Sequence, residues 1–177
     1  LFDEVTMDAK SVVRFWEAAR AAGLDICIDG GWAVDALLGE QTRPHGDLDI
    51  ALPASQGARL RAMLEAQGYC EVPWPDSWAH NFVLEGPSGA RIDVHTYELH
   101  PDGRNKAGVA YIAEHLSGSG VILGNSVRCV PPHWLVLFHD GYAVDEDDWH
   151  DVRLLCARFG LPVPEVFERF VRSVGKP

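Results

Sequence analysis

The sequence predicts an α/β fold: a short mixed β-sheet flanked by helices, with a C-terminal helical segment. Three observations carry that expectation. An apolar strand, Ile26 to Ile28, leads into the Gly30-Gly31 pair and then a short helical run from Trp32 to Leu38, which is the order of a strand-to-helix turn. Two stretches, Asp47-Leu48-Asp49-Ile50 and Arg91-Ile92-Asp93-Val94-His95, alternate polar and apolar residues, as half-buried strands do. Past the boundary marked by Pro131-Pro132 the chain reads as helical. The expected organisation is therefore an α/β domain over 1–130 and a helical segment over 131–177.

The other elements follow from local signals. Asp8 or Thr6 caps a first helix through Ala22, with Val12, Phe15, Trp16, Ala19 and Ala22 on its buried face and Gly23 as its stop. Ser55 caps a helix from Gln56 to Gln67, with Leu60, Met63 and Leu64 inward and Gly68 at its end. A strand follows at Tyr69 to Val72. Phe82 to Glu85 and Ala90 to Thr96 flank Gly86-Pro87-Ser88-Gly89 and form a hairpin. Pro101 to Gly108 reads as a polar loop. Gly120 to Leu123 and Val127 to Val130 form a second hairpin around Gly124-Asn125-Ser126. Three helices are expected last: His133 to Tyr142, Asp148 to Phe159 stopped by Gly160, and Pro164 to Val174.

Composition narrows the function. A hydrophobic content of 47% supports a full core, and the formal charge of −11 argues against a nucleic-acid partner, since such binding neutralises phosphates with Lys and Arg. A cationic substrate suits this charge better. No stretch approaches the roughly 18 apolar residues of a membrane span, and no basic-then-apolar leader opens the sequence, so a soluble, cytoplasmic protein away from membranes is expected. Four cysteines, Cys27, Cys70, Cys129 and Cys156, are widely spaced without a CxxC pair and read as buried free thiols.

The chemistry concentrates in Asp29 to Leu52. On a strand, Asp47 and Asp49 share a face with their Cβ atoms about 6.5 Å apart, close enough to converge on one hard cation. Asp93 joins them if the two strands are neighbours. Three clustered carboxylates repel one another unless a cation neutralises them, which makes Asp47, Asp49 and Asp93 candidate ligands for Mg²⁺, with two ions the expected number. The Gly30-Gly31 amides at a helix N-terminus form a site for phosphate oxygens.

Together these features resemble the nucleotidyltransferase superfamily related to the catalytic domain of DNA polymerase β. Within it, GGWAVDALLGEQTRPHGDLDI looks like the small antibiotic nucleotidyltransferases that act on lincosamides or aminoglycosides. IDVH at 92–95, HPDG at 100–103 and LFHDGY at 137–142 also resemble the lincosamide branch, with aminoglycoside 2''-nucleotidyltransferases as relatives. The resemblance implies transfer of AMP from ATP to an antibiotic hydroxyl, releasing pyrophosphate. It assigns Asp47, Asp49 and Asp93 as catalytic and metal-binding, with Asp93 as the candidate proton acceptor.

Further candidates come from their positions. Arg43, Arg91 and Lys106 could hold phosphate charge, with surface ion pairing as the alternative. Trp78, four residues after Trp74, could stack on a ring of the substrate, or pack under its loop. Asp148 and Asp151 could line an anionic pocket for an amine-bearing antibiotic, although acids at a helix start are also stabilised by its dipole. His45 and His95 could contact phosphate or a neighbouring carboxylate. An aminoglycoside acceptor, a non-catalytic nucleotide-binding or antitoxin-like module and a homodimer stay open at this point.

Overall fold

The computed structural model describes residues 7–139 and 143–170. Its centre is a mixed eight-stranded sheet. The strands are β1 (Cys27–Ile28), β2 (Asp47–Pro53), β3 (Cys70–Val72), β4 (Asn81–Glu85), β5 (Arg91–Leu99), β6 (Asn105–Gly108), β7 (Gly118–Ile122) and β8 (Asn125–Cys129). They run in the order β3-β4-β5-β2-β1-β8-β7, with β6 paired to the end of β5. The β2–β5 and β1–β8 pairs are parallel and the others antiparallel. An α/β fold with a short mixed sheet and flanking helices is what the alternation predicts.

The helices are α1 (Ala9–Ala21), α2 (Gly30–Leu38), α3 (Gly57–Glu65), α4 (Pro132–Phe138) and α5 (Glu146–Phe159). Asp8 caps α1 by accepting the Ser11 N–H at 2.7 Å, an interaction worth about 1 kcal/mol. Val12, Phe15, Trp16 and Ala19 are its buried face. Leu48, Ile50 and Leu52 of β2 and Ile92 and Val94 of β5 are fully buried in the same core. Their burial fixes which way the intervening polar residues point. Gly120 lets β7 approach α2, since a Cβ there would strike the Ala36 carbonyl carbon at 2.5 Å. Helices α4 and α5 pack against α2, which brings the C-terminal helices to the open side of β2 and β5. Among the described residues no helix is long and apolar enough to cross a membrane.

Several local expectations change. Ser55 lies in a single 3₁₀ turn, Ala54–Gln56, and makes no capping bond to α3, which begins later at Gly57. Part of the predicted loop at 101–108 is strand β6, because its backbone completes the ladder on β5 despite a polar sequence. The second hairpin turns at Leu123-Gly124, not over Gly124 to Ser126. Both residues have positive φ, 47° and 79°, as a two-residue turn matched to strand twist requires. Helix α4 ends at Phe138, and Tyr142 and Val174 lie outside the described residues. The last described segment starts as a 3₁₀ turn, Glu165–Phe167. Cys27, Cys129 and Cys156 are buried free thiols as expected, whereas Cys70 on strand β3, at the sheet edge, is exposed.

Candidate active site

Register builds the site. In the parallel β2–β5 pair, Asp49 lies opposite Asp93 and Asp47 opposite Arg91. Because Leu48, Ile50, Ile92 and Val94 are buried on one face, Asp47, Asp49, Asp93 and His95 all take the other. One oxygen each from Asp49 and Asp93 and one ring nitrogen of His95 lie within 4.8 Å of one another. Asp47 sits two residues back along the strand, outside that tight set.

The Gly-Gly turn closes on this cluster. Asp29 caps α2, its Oδ1 accepting the Gly30 N–H at 2.8 Å, while its own backbone N–H donates to the Asp49 carbonyl at 2.9 Å. Gly30 has φ +56°, and a Cβ there would overlap the Asp49 carboxylate. A Cβ on Gly31 would come 2.5 Å from His45 Nδ1 and 2.8 Å from the Arg43 guanidinium. The two glycines therefore admit this chain's own functional side chains against the turn, where Asp29 already takes the Gly30 N–H.

Charge accumulates without enough compensation. Burial, and then the neighbouring Asp47, push the Asp49 carboxyl up to about 7. Asp47 is also raised, first by burial, with repulsion from Asp93 adding and Arg91 opposing. Asp93 Oδ1 is buried and accepts no hydrogen bond among the described residues. Burial disfavours protonated His95, but the Asp93 carboxylate 3.6 Å away and the charges of Asp49 and Asp29 outweigh this and lift it to about 9. An electron-rich, half-buried set with an orphaned carboxylate oxygen suits a divalent cation.

A second chain of polar contacts ties the parts together. Tyr111 donates its hydroxyl proton to Asp29 Oδ2, and burial followed by the Asp29 charge holds the phenol well above its ordinary pKa. The same hydroxyl lies 3.1 Å from His95 Nδ1. Nearby, His45 Nε2 meets Asp35 Oδ2 at 2.5 Å in full burial, and Asp35 Oδ1 accepts from the Thr42 N–H and hydroxyl at 2.9 and 2.8 Å. That pair fixes the loop that delivers Asp47.

Above the carboxylates opens a cleft of about 630 Å³. Asp29, Gly30, Gly31, Arg43, Asp49 and His95 form its polar side; Val109, Tyr111, Leu135, Leu137 and Phe138 form an apolar wall. Asp148 and Asp151 of α5 complete the lining. Arg43 spans it: its guanidinium grips Asp151 in a bidentate pair at 3.0 and 2.7 Å and reaches Asp147 at 3.4 Å. Asp148 closes a capping box with Asp145 and lies 3.3 Å from His139 Nε2. The structure thus brings Asp49, Asp93, Gly30, Gly31, Arg43, Asp148 and Asp151 around one region, with Asp47 beside it. Two residues lie elsewhere. Lys106 pairs with Glu98 at 2.9 Å on the exposed β5–β6 ladder, and Trp78 is half exposed against His80; neither lines the cleft.

Residues 11–155 match the family described as Aminoglycoside-2''-adenylyltransferase. The chain belongs to this family. Among its relatives, a lincosamide resistance protein of Staphylococcus haemolyticus is 32% identical over 134 residues, covering 72% of this chain and 81% of that one. A 2''-aminoglycoside nucleotidyltransferase of Klebsiella pneumoniae is 33% identical over 94% of this chain and 98% of its own length. The crystal structure of the lincosamide antibiotic adenylyltransferase LnuA with lincomycin bound superposes with TM-score 0.73 at 25% identity, covering 85% of this chain and 98% of that chain. That of ANT(2'')-Ia in complex with adenylyl-2''-tobramycin gives 0.68 at 27%, covering 86% and 89%. This adenylyltransferase-family member is accordingly an antibiotic nucleotidyltransferase with the fold that the Gly-Gly and Asp-x-Asp segments implied.

Asp29, Tyr111 and Asp35 were missed by sequence reasoning. Tyr111 comes from a connection between β6 and β7 that has no periodicity, and its partners are 82 and 16 residues away. The Asp-Gly-Gly order was a readable capping signal for Asp29.

Proposed function

We propose that this family member transfers AMP from ATP to a hydroxyl of a lincosamide, releasing pyrophosphate. The observation that carries the reading is the Asp49, Asp93 and His95 cluster beside the Gly30-Gly31 turn, next to a cleft that also has an apolar wall. The Gly30-Gly31 turn at the start of α2 receives phosphate oxygens. Arg43 adds positive charge at the same rim. The Asp93 carboxylate takes the proton of the acceptor hydroxyl as that oxygen attacks the α-phosphorus in line. Asp47, Asp49 and Asp93 would hold two Mg²⁺ ions, which supply charge neutralisation for the triphosphate and the leaving pyrophosphate. Asp148, with the Arg43-paired Asp151 beside it on α5, offers negative charge to the amine of the acceptor, while Leu135, Leu137 and Phe138 cover its alkyl portions. The apolar wall favours a monobasic, amphipathic acceptor over a polycation.

An aminoglycoside acceptor is the second reading, favoured by Asp147, Asp148 and Asp151 clustering on α5 and by the near-full-length match to 2''-aminoglycoside relatives. Radiolabelled ATP, Mg²⁺ and a panel of lincosamides and aminoglycosides separate the two. The reading expects label transfer to lincosamides at kcat/KM at least about tenfold above any aminoglycoside, roughly what differential contacts worth 1.4 kcal/mol produce. Preferred labelling of aminoglycosides would transfer the conclusion to the second acceptor class.

A further inference from the structure

We propose that His95 Nε2 is a direct donor to the metal site, so that this chain holds a mixed oxygen and nitrogen centre. The inference rests on the reading that Asp49 and Asp93 bind divalent metal. His95 is two residues beyond Asp93 on β5, hence on the same face of the strand. Its Nε2 is 3.6 Å from Asp93 Oδ1, longer than a good hydrogen bond but within the span of one cation bound to both at about 2.0–2.3 Å. Asp93 Oδ1 is a buried atom without a hydrogen bond among the described residues.

Tyr111 sets the tautomer. Its single proton goes to Asp29 Oδ2, so towards His95 Nδ1, 3.1 Å away, the phenol oxygen can only accept. Nδ1 is therefore the donor, and Nε2, which faces Asp93, presents its lone pair there once a bound cation has displaced its proton. Metal-binding histidines are commonly oriented in this way, the non-ligating N–H held by an oxygen that is itself hydrogen-bonded. Here Tyr111 and Asp29 supply that support. An imidazole donor weakens discrimination in favour of Mg²⁺, which prefers all-oxygen octahedra, and favours a transition-metal ion.

Manganese provides the test because its bound form reports its ligands. Mn²⁺ is added to the purified full chain, and pulsed electron paramagnetic resonance looks for ¹⁴N coupling from a directly bound imidazole. The wild type should show it, and His95→Gln should lose it. In Mn²⁺ and Mg²⁺ titrations His95→Gln should weaken Mn²⁺ about ten- to a hundredfold and Mg²⁺ by less than about threefold. The wild-type spectrum decides the matter even if the variant folds poorly. Bound Mn²⁺ without ¹⁴N coupling overturns the role of His95 alone, whereas no Mn²⁺ binding at all overturns the metal site beneath it.

Discussion

Replacing Asp49 by Asn should stabilise the metal-free protein while abolishing turnover, a combination expected from a carboxylate held against its own electrostatic interest. Asp49 ionises at about 7 in the fold, against an ordinary value of 3.8. Moving the carboxyl from 3.8 to about 7 corresponds to about 4 kcal/mol, and partial contact with cleft solvent reduces the usable part to about 2 kcal/mol. The sign follows from proton binding. Between pH 3.8 and about 7 the folded state keeps a proton that the unfolded state has lost, so stability falls as pH rises across that window. Above it the full penalty is present.

Asn, which never ionises, removes the penalty. Thermal melts of wild type and Asp49→Asn in chelator should therefore differ by about 4–8 °C at pH 8 in favour of the variant, given about 2–4 °C per kcal/mol for a domain of this size. The difference should shrink to near zero at pH 4. Saturating Mg²⁺ should raise the wild-type midpoint and leave the variant unmoved. A variant that melts below wild type at pH 8, or a difference independent of pH, would refute the crowded-carboxylate account.

Other predictions concern neighbouring contacts. Asp93→Asn should lower kcat by at least about a hundredfold with an unchanged circular dichroism spectrum; near-normal turnover would remove Asp93 from the chemistry. Gly30→Ala forces a Cβ into the Asp49 carboxylate at a φ of +56°, so calorimetry should find a loss of about 1–3 kcal/mol together with lost activity. Arg43→Ala leaves Asp151, only 3% exposed, without its partner and should cost about 2–3 kcal/mol in denaturant unfolding; Asp151→Asn in the same chain should recover most of it, and a strictly additive double variant would deny the coupling. Mg²⁺ affinity measured by calorimetry should fall as pH drops below about 7, with proton release on binding, because Asp49 must ionise to bind; a flat profile would contradict its raised pKa.

What the sequence disclosed was what period and punctuation encode. Asp47, Asp49 and Asp93 were legible because alternation with Leu48, Ile50, Ile92 and Val94 fixes a face, and the parallel register then set Asp49 against Asp93. Gly23 and Gly160 stopped their helices, both at positive φ, whereas α3 ended at Glu65, before Gly68. The contacts that organise the cleft were not legible. Tyr111 reaching Asp29, and Arg43 reaching Asp151 across 108 residues, depend on tertiary packing that leaves no local pattern. Strand β6 was hidden because its residues suit a loop and only the neighbouring β5 edge makes them a strand. Leu123 concealed its turn, since a bulky residue seldom takes positive φ.

The most direct measurement is mass spectrometry of the acceptor after incubation with ATP, Mg²⁺ and wild-type, Asp49→Asn or Asp93→Asn protein. The account predicts a lincosamide heavier by one adenylyl group, AMP less water, with pyrophosphate released in equal amount, for wild type only. No adduct on any lincosamide or aminoglycoside, or the same adduct from the Asp93→Asn protein, would contradict it.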